Sequence, residues 1–309
     1  MAHQKSLDKR SLDLEAFKLK MRYIFLPFLG FSIGAILFYN IIRWILDICL
    51  GIWPLKDTVW NLIIPIIISV TLVLVIMRSR IRLLRFELFD DNSANVFYLV
   101  MILALFPPIS ISQAYLYEAA YDIIDISNIS DIKLYPKQKY FQFDNKSIEK
   151  QGVVSYFNTR EMGKSRQELK IYLYFATPFY GDKDIWWGQA FTKVIDNDLE
   201  EKEKVQQIEN FKRISRQQYA NEEISTADYF EKLQNSDTKY GYLEAIRLSG
   251  QQHINDPIIL VSQLSTLNEK ADKELAKFFR FFIIGMFICL LLVLKATIDK
   301  KAFQQFKLR

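Results

Sequence analysis

Gly30-Phe31-Ser32-Ile33-Gly34 has the Gly-x-Ser-x-Gly outline of serine hydrolases, and it lies in an uncharged stretch long enough to form a membrane helix. A serine there needs a base within hydrogen-bond reach to take its proton. The 309-residue chain has two histidines, His3 in the N-terminal tail and His253 in a polar region far along the chain. Neither is placed to meet Ser32 inside a bilayer, and no Asp, Glu or Lys sits in the interior of an apolar stretch to replace them. The motif therefore reads as helix packing. Gly30 and Gly34, with Ala35 beside them, form a small-xxx-small patch for a neighbouring helix, and Ser32 bonds its own backbone.

The other reactive residues are equally sparse. The two cysteines, Cys49 and Cys289, fall in or beside apolar stretches on opposite sides of the expected topology, so neither a disulfide nor a thiolate metal site is expected. Asp182/Asp184 and Asp196/Asp198 are paired carboxylates in turn-like, charge-rich segments, where a solvated turn explains them better than glycoside chemistry. Trp186 and Trp187 are adjacent in a strand-like segment and must face opposite ways. Unless both faces of the sheet are covered, one of the two is exposed, and its ring is then the candidate ligand-binding platform for a sugar or peptide. No residue takes a catalytic role, and no cofactor or metal is expected.

These residues are positioned by two kinds of element. Tyr23 to Ile42, Thr58 to Met77 and Asn92 to Tyr117 are uncharged over 20, 20 and 26 residues, and a fourth stretch, Phe278 to Ile298, carries only Arg280 and Lys295. Each is long enough to cross a bilayer as a helix. Segments before the first, after the second and after the last hold 15 Lys+Arg, against two in the loop 43–57. That is the positive-inside pattern, and it puts both termini in the cytoplasm. Ionisable residues in the interior of a span, which would argue for transport, are absent on this reading. Ile41 to Trp53 is apolar except for Arg43 and Asp47, four apart, and is expected partly to extend the first helix and partly to lie along the outer surface. Asn40, Asn61, Ser69 and Gln113 are read as helix contacts.

Between the third and fourth spans the pattern changes to period two. Lys139 to Asp144, Val153 to Asn158, Leu169 to Thr177, Ile185 to Ile195 and Pro257 to Gln263 predict strands, and 160–168 a hairpin turn. A helix is expected from a cap at Asn197 or Asp198 to Tyr219, with Glu201 closing a capping box, and a short one over 227–234. Residues 119–276 hold 21 Lys+Arg and 25 Asp+Glu, so nucleic acid is not an expected partner. Thr266 and Glu269 form a further capping box, opening a helix that should run unbroken from Leu267 to Ile298 and couple the domain to the last span.

The expected protein is thus a multi-pass membrane protein with four transmembrane α-helices and an inserted extracytoplasmic α+β domain, an antiparallel sheet plus helices. Its parts are a basic tail (1–22), three spans (23–117) with an outer loop (43–57) and a cytoplasmic loop (78–91), the domain (118–276), a fourth span (277–298) and a tail (299–309). This layout resembles the non-catalytic N-terminal region that precedes the peptidase in some bacterial rhomboid-family membrane serine proteases. The resemblance rests on Leu169 to Pro178, Ile185 to Gln189, Asp228 to Leu233 and the tail Ile298 to Lys307. It implies an accessory or regulatory module in a bacterial inner membrane, either a stand-alone version or a fragment of a longer protein that carries the peptidase; no catalytic residue carries over. The expected partners are the lipid bilayer and a protein, or a second copy associating through membrane helices. The expected function is to bind a protein or envelope ligand and scaffold or transmit that event. The alternative is a structural subunit of an envelope or secretion complex.

Overall fold

The computed structural model describes residues 15–53, 55–85, 93–163, 165–250, 256–299 and 303–304. His3, His253, the first fourteen residues and most of the tail beyond Asp299 lie outside them. The chain divides into two compact units, Tyr121–Leu267 and the remainder.

Among the described residues, four helices are long and apolar enough to cross a membrane: α1 (Glu15–Cys49), α2 (Val59–Ile76), α3 (Ser93–Ala119) and α6 (Leu267–Lys295). They pack through Phe28, Ile36, Trp60, Val73, Phe97, Leu105, Met286 and Cys289. Large apolar side chains such as Leu37, Phe38, Ile67, Val75, Leu99 and Ile283 are exposed on these helices, consistent with a lipid environment. Pro107 and Pro108 lie inside α3, which nonetheless continues to Ala119.

Two boundaries differ from expectation. α1 runs through Arg43 and Asp47 to Cys49, so the expected partial extension of the first helix takes in both residues and shortens the outer loop of 43–57. α6 stops at Lys295, because Thr297–Ile298 (β9) pairs antiparallel with Leu84–Arg85 (β1), and the Asp299 N–H donates to the Leu83 carbonyl. A strand pair of this kind fixes the end of the last helix to the end of the second. Lys20 Nζ adds a bond to the Leu294 carbonyl at 2.7 Å.

The glycines of the hydrolase-like motif are not where α1 meets its neighbours. A Cβ at Gly30 or Gly34 would meet nothing within 4 Å, and both residues are exposed in this chain. The close helix approach is instead at Gly285, where a Cβ would lie 2.8 Å from the Ala104 carbonyl oxygen and 3.1 Å from its Cα. Ser32 behaves as expected, donating to the Phe28 carbonyl at 2.7 Å. Gly285→Leu should therefore lower stability in detergent by about 1–3 kcal/mol through overpacking, whereas Gly34→Leu should leave the unfolding midpoint unchanged. Equal losses in both would mean that another chain covers Gly34.

The second unit is a seven-stranded mixed sheet in the order β2-β3-β7-β8-β6-β5-β4. Its strands are β2 (Ile123–Asp125), β3 (Tyr140–Gln142), β4 (Val154–Met162), β5 (Glu168–Phe179), β6 (Asp182–Asp196), β7 (Tyr229–Lys232) and β8 (Ile258–Gln263). The aromatic, branched segments form the predicted strands, with β5 and β6 longest. Two pairs, β2 with β3 and β6 with β8, are parallel and not antiparallel. The predicted helix over 227–234 is replaced by β7, whose Tyr229 and Phe230 complete the sheet between β3 and β8.

Helix α4 (Glu201–Asn221) begins after the expected cap, with Glu201 as its first residue and no side-chain cap, so the capping box is not made. Asp198 instead donates its N–H to Asp196 Oδ1 in a turn. A helix that sequence patterning missed, α5 (Asp237–Leu248), is capped by Ser236, whose Oγ accepts from the Lys239 N–H. Helices α4 and α5 cover opposite faces of the sheet.

Candidate functional site

Two helices, one on each face, decide the fate of the tryptophan pair. Trp186 packs with Tyr174, Tyr242 and Ile246 on the α5 side, and Trp187 with Phe230 and Leu260 on the other. Their exposures are 0% and 2%, so neither ring is free to stack on a ligand. Both indole N–H groups are satisfied internally, Trp186 by the Lys183 carbonyl at 2.9 Å and Trp187 by Ser262 Oγ at 2.8 Å. Tyr219 from α4 stacks on Trp187 at 5.0 Å and its hydroxyl meets Thr177; burial raises its pKa above the ordinary phenol value. The pair is core, and the expectation of an exposed platform is corrected.

The acidic pairs are likewise structural. Lys133 Nζ lies 2.8 Å from Asp182 and 2.7 Å from Asp184, tying 129–134 to the β5–β6 hairpin. Burial would raise the Asp182 carboxyl, but bonds from Lys133, the Asp184 N–H and Ser130 together hold it below the usual range.

The most unusual chemistry in the domain lies where the chain enters and leaves it. Tyr121 is the second residue after α3, and its ring meets that of Tyr140 at 6.5 Å. Tyr140 in turn meets Tyr229 at 5.4 Å, and Tyr229 is the register partner of Gln263, four residues before α6 begins. Both junctions therefore lie at one end of the domain. Beneath them Lys139 is fully buried, 3.3 Å from Glu231, and Glu231 also accepts from Gln263 Nε2 at 2.9 Å. The neighbouring Lys232 donates to the Tyr135 and Pro136 carbonyls, and burial pushes its pKa down to about 8.

The apolar helices contain a second polar centre. Arg43 has 0% exposure and lies between the rings of Trp60 and Tyr117, 5.5 Å from each centroid. Its Nη1 donates to Asn61 Oδ1 at 2.7 Å and to the Gln113 carbonyl at 3.2 Å, and its Nε reaches Asp47 at 3.4 Å. Gln113 Nε2 donates to Asn40 Oδ1, Asn40 Nδ2 to Ser112 Oγ, and Ser110 Oγ to the Asn61 carbonyl. The Arg43 Nη2 and Gln113 Oε1 atoms are buried without a hydrogen-bond partner. One cation thus gathers α1, α2 and α3. Buried ionisable groups in such helices are costly and are functional candidates by default. The spacing of Arg43 and Asp47 already predicts a partial extension of the first helix; what sequence reasoning missed is that Asn61 and Gln113, read only as helix contacts, meet Arg43 from the next two helices.

Among the described residues no group of three or more His, Cys, Asp and Glu is arranged to hold a metal. No protein-family model, curated protein or solved structure matches the chain.

Proposed function

We propose that the chain is a non-enzymatic, multi-pass inner-membrane protein whose domain of residues 121–267 lies outside the cytoplasm. The domain binds a protein or envelope ligand and passes that event to the helices. The observation that supports this most is the junction: Tyr121 and Gln263 are bridged through Tyr140 and Tyr229, over the buried Lys139–Glu231 pair. A shift of β3 against β7 would be felt at both chain crossings together. From there α3 and α6 continue without a break, and Gln113 lies in the last two turns of α3. Following the resemblance described above, a rhomboid-type protease is the partner class such a module would regulate.

Spin labels at Glu269→Cys and Phe281→Cys, in a chain lacking Cys49 and Cys289, test the rigid connection. Twelve residues of ideal helix should give a narrow distribution near 18 Å between backbones, about 1.5 Å per residue. A broad distribution would show a flexible tether and remove the coupling. Protease added outside spheroplasts should cut within 121–267 while a C-terminal tag survives; the reverse pattern would refute the topology.

A further inference from the structure

The sheet ends in two unlike edges. β2 is three residues long, and so short an edge offers little backbone to another strand. β4 has nine residues and no proline, and its nine pairs with β5, from Val154↔Ala176 to Met162↔Glu168, run without a bulge. Among the described residues no strand lies on its outer side. Long unguarded edges of this kind are rare in proteins that stay monomeric.

The direction of the backbone groups on this edge follows from the neighbouring strands. The Asn197 N–H donates to the Gln167 carbonyl, which turns the odd-numbered positions of β5 towards β6 and the even-numbered ones towards β4. The even residues of β4 are therefore held by β5. Ser155, Phe157, Thr159 and Glu161 present their N–H and C=O groups outwards. The Thr159 N–H shows this directly, since its acceptor is the side chain of Asn158, at 2.8 Å.

We propose that this edge pairs with the same edge of a second copy of the chain, antiparallel, about a two-fold axis at Asn158. In that register Tyr156 faces Arg160, Val154 faces Met162, Ser155 faces Glu161 and Phe157 faces Thr159. The cation meets an aromatic ring, Met162, 38% exposed in the single chain, is covered, and no like charges meet. Neighbouring registers are worse. An axis at Arg160 sets arginine on arginine, one at Glu161 sets glutamate on glutamate, one at Thr159 sets Phe157 on Glu161, and one at Phe157 leaves Met162 without a strand partner. The strand is thus its own complement, which singles out a second copy over an unrelated peptide. Asn158 releases the Thr159 N–H when the edges join, and the two Asn158 amides then face each other at the axis.

The test uses the full chain in mild detergent. The unaltered protein should have a protein mass twice the 36.5 kDa of one chain. Thr159→Pro removes an outward N–H while sparing the bonds to β5, so it should halve that mass without moving the unfolding midpoint. In a background lacking Cys49 and Cys289, Asn158→Cys should form an intermolecular disulfide on mild oxidation. The Cα atoms of a directly opposed, non-hydrogen-bonded pair are about 4.5 Å apart, within disulfide reach. Arg160→Cys should not cross-link. A monomeric unaltered protein overturns the proposal, as does a dimer that survives Thr159→Pro and gives no Asn158→Cys cross-link, which would place association in the helices. The cross-link is read in a strand that keeps its Thr159, so a Thr159→Pro chain that fails to fold leaves the decision with it.

Discussion

Arg43→Ala in the full chain should destabilise the helical unit by about 3–5 kcal/mol, the usual loss when one member of a buried, paired charge cluster is removed. The substitution strands Asn61 Oδ1, the Gln113 carbonyl and the Asp47 carboxylate, each of which Arg43 now engages, and it empties the space between Trp60 and Tyr117. Arg43→Lys should recover only part of the loss, because a single ammonium cannot occupy the forked donor positions or stack flat between two rings. The measurement is the unfolding midpoint in detergent, combined in a double-mutant cycle with Asn61→Ala. A coupling of about 1–3 kcal/mol is expected for groups in direct contact. An Arg43→Ala chain as stable as the parent would mean that the guanidinium is solvated and links nothing.

Arg43 also shows where reading the chain alone reaches its limit. The four-residue spacing of Arg43 and Asp47 predicts a partial extension of the first helix, with the rest of 41–53 along the outer surface. That inference omits what other helices can supply, and the supply came from Asn61 and Gln113, 18 and 70 residues away. The strands of the domain were legible because alternation is local: Leu169 to Thr177 and Ile185 to Ile195 fall within β5 and β6. Pairing direction was not, since β6 reaches its parallel neighbour β8 only after α4, β7 and α5 have intervened. Helix α5 was hidden by Gly241, a poor helix former. The structure explains that residue: a Cβ there would come within 2.5 Å of the Tyr174 ring, which is held by Tyr156, Tyr172 and Tyr242. Gly30 and Gly34 show the converse, since within this chain no neighbour comes within 4 Å of a Cβ at either.

Trp187→Ala should act on folding and not on recognition, which separates the observed core role from the ligand platform that its sequence context suggested. Removing the indole deletes a side chain that is 2% exposed, its bond to Ser262 and the stack on Tyr219. Large-to-small changes of this kind cost about 3–5 kcal/mol, because the surrounding side chains close the cavity only in part. In this case collapse is restricted. Tyr219 is fixed from the other side by Phe175 at 4.5 Å and by its hydroxyl contact with Thr177, so it cannot follow the missing ring. The domain's unfolding transition should fall by on the order of 10 °C. Trp187→Phe keeps most of the apolar volume and loses chiefly the Ser262 bond, so its fall should be less than half as large. The two variants distinguish the roles: a platform would give unchanged midpoints in both and a loss confined to ligand binding. A core residue grades the midpoint by the volume it leaves empty.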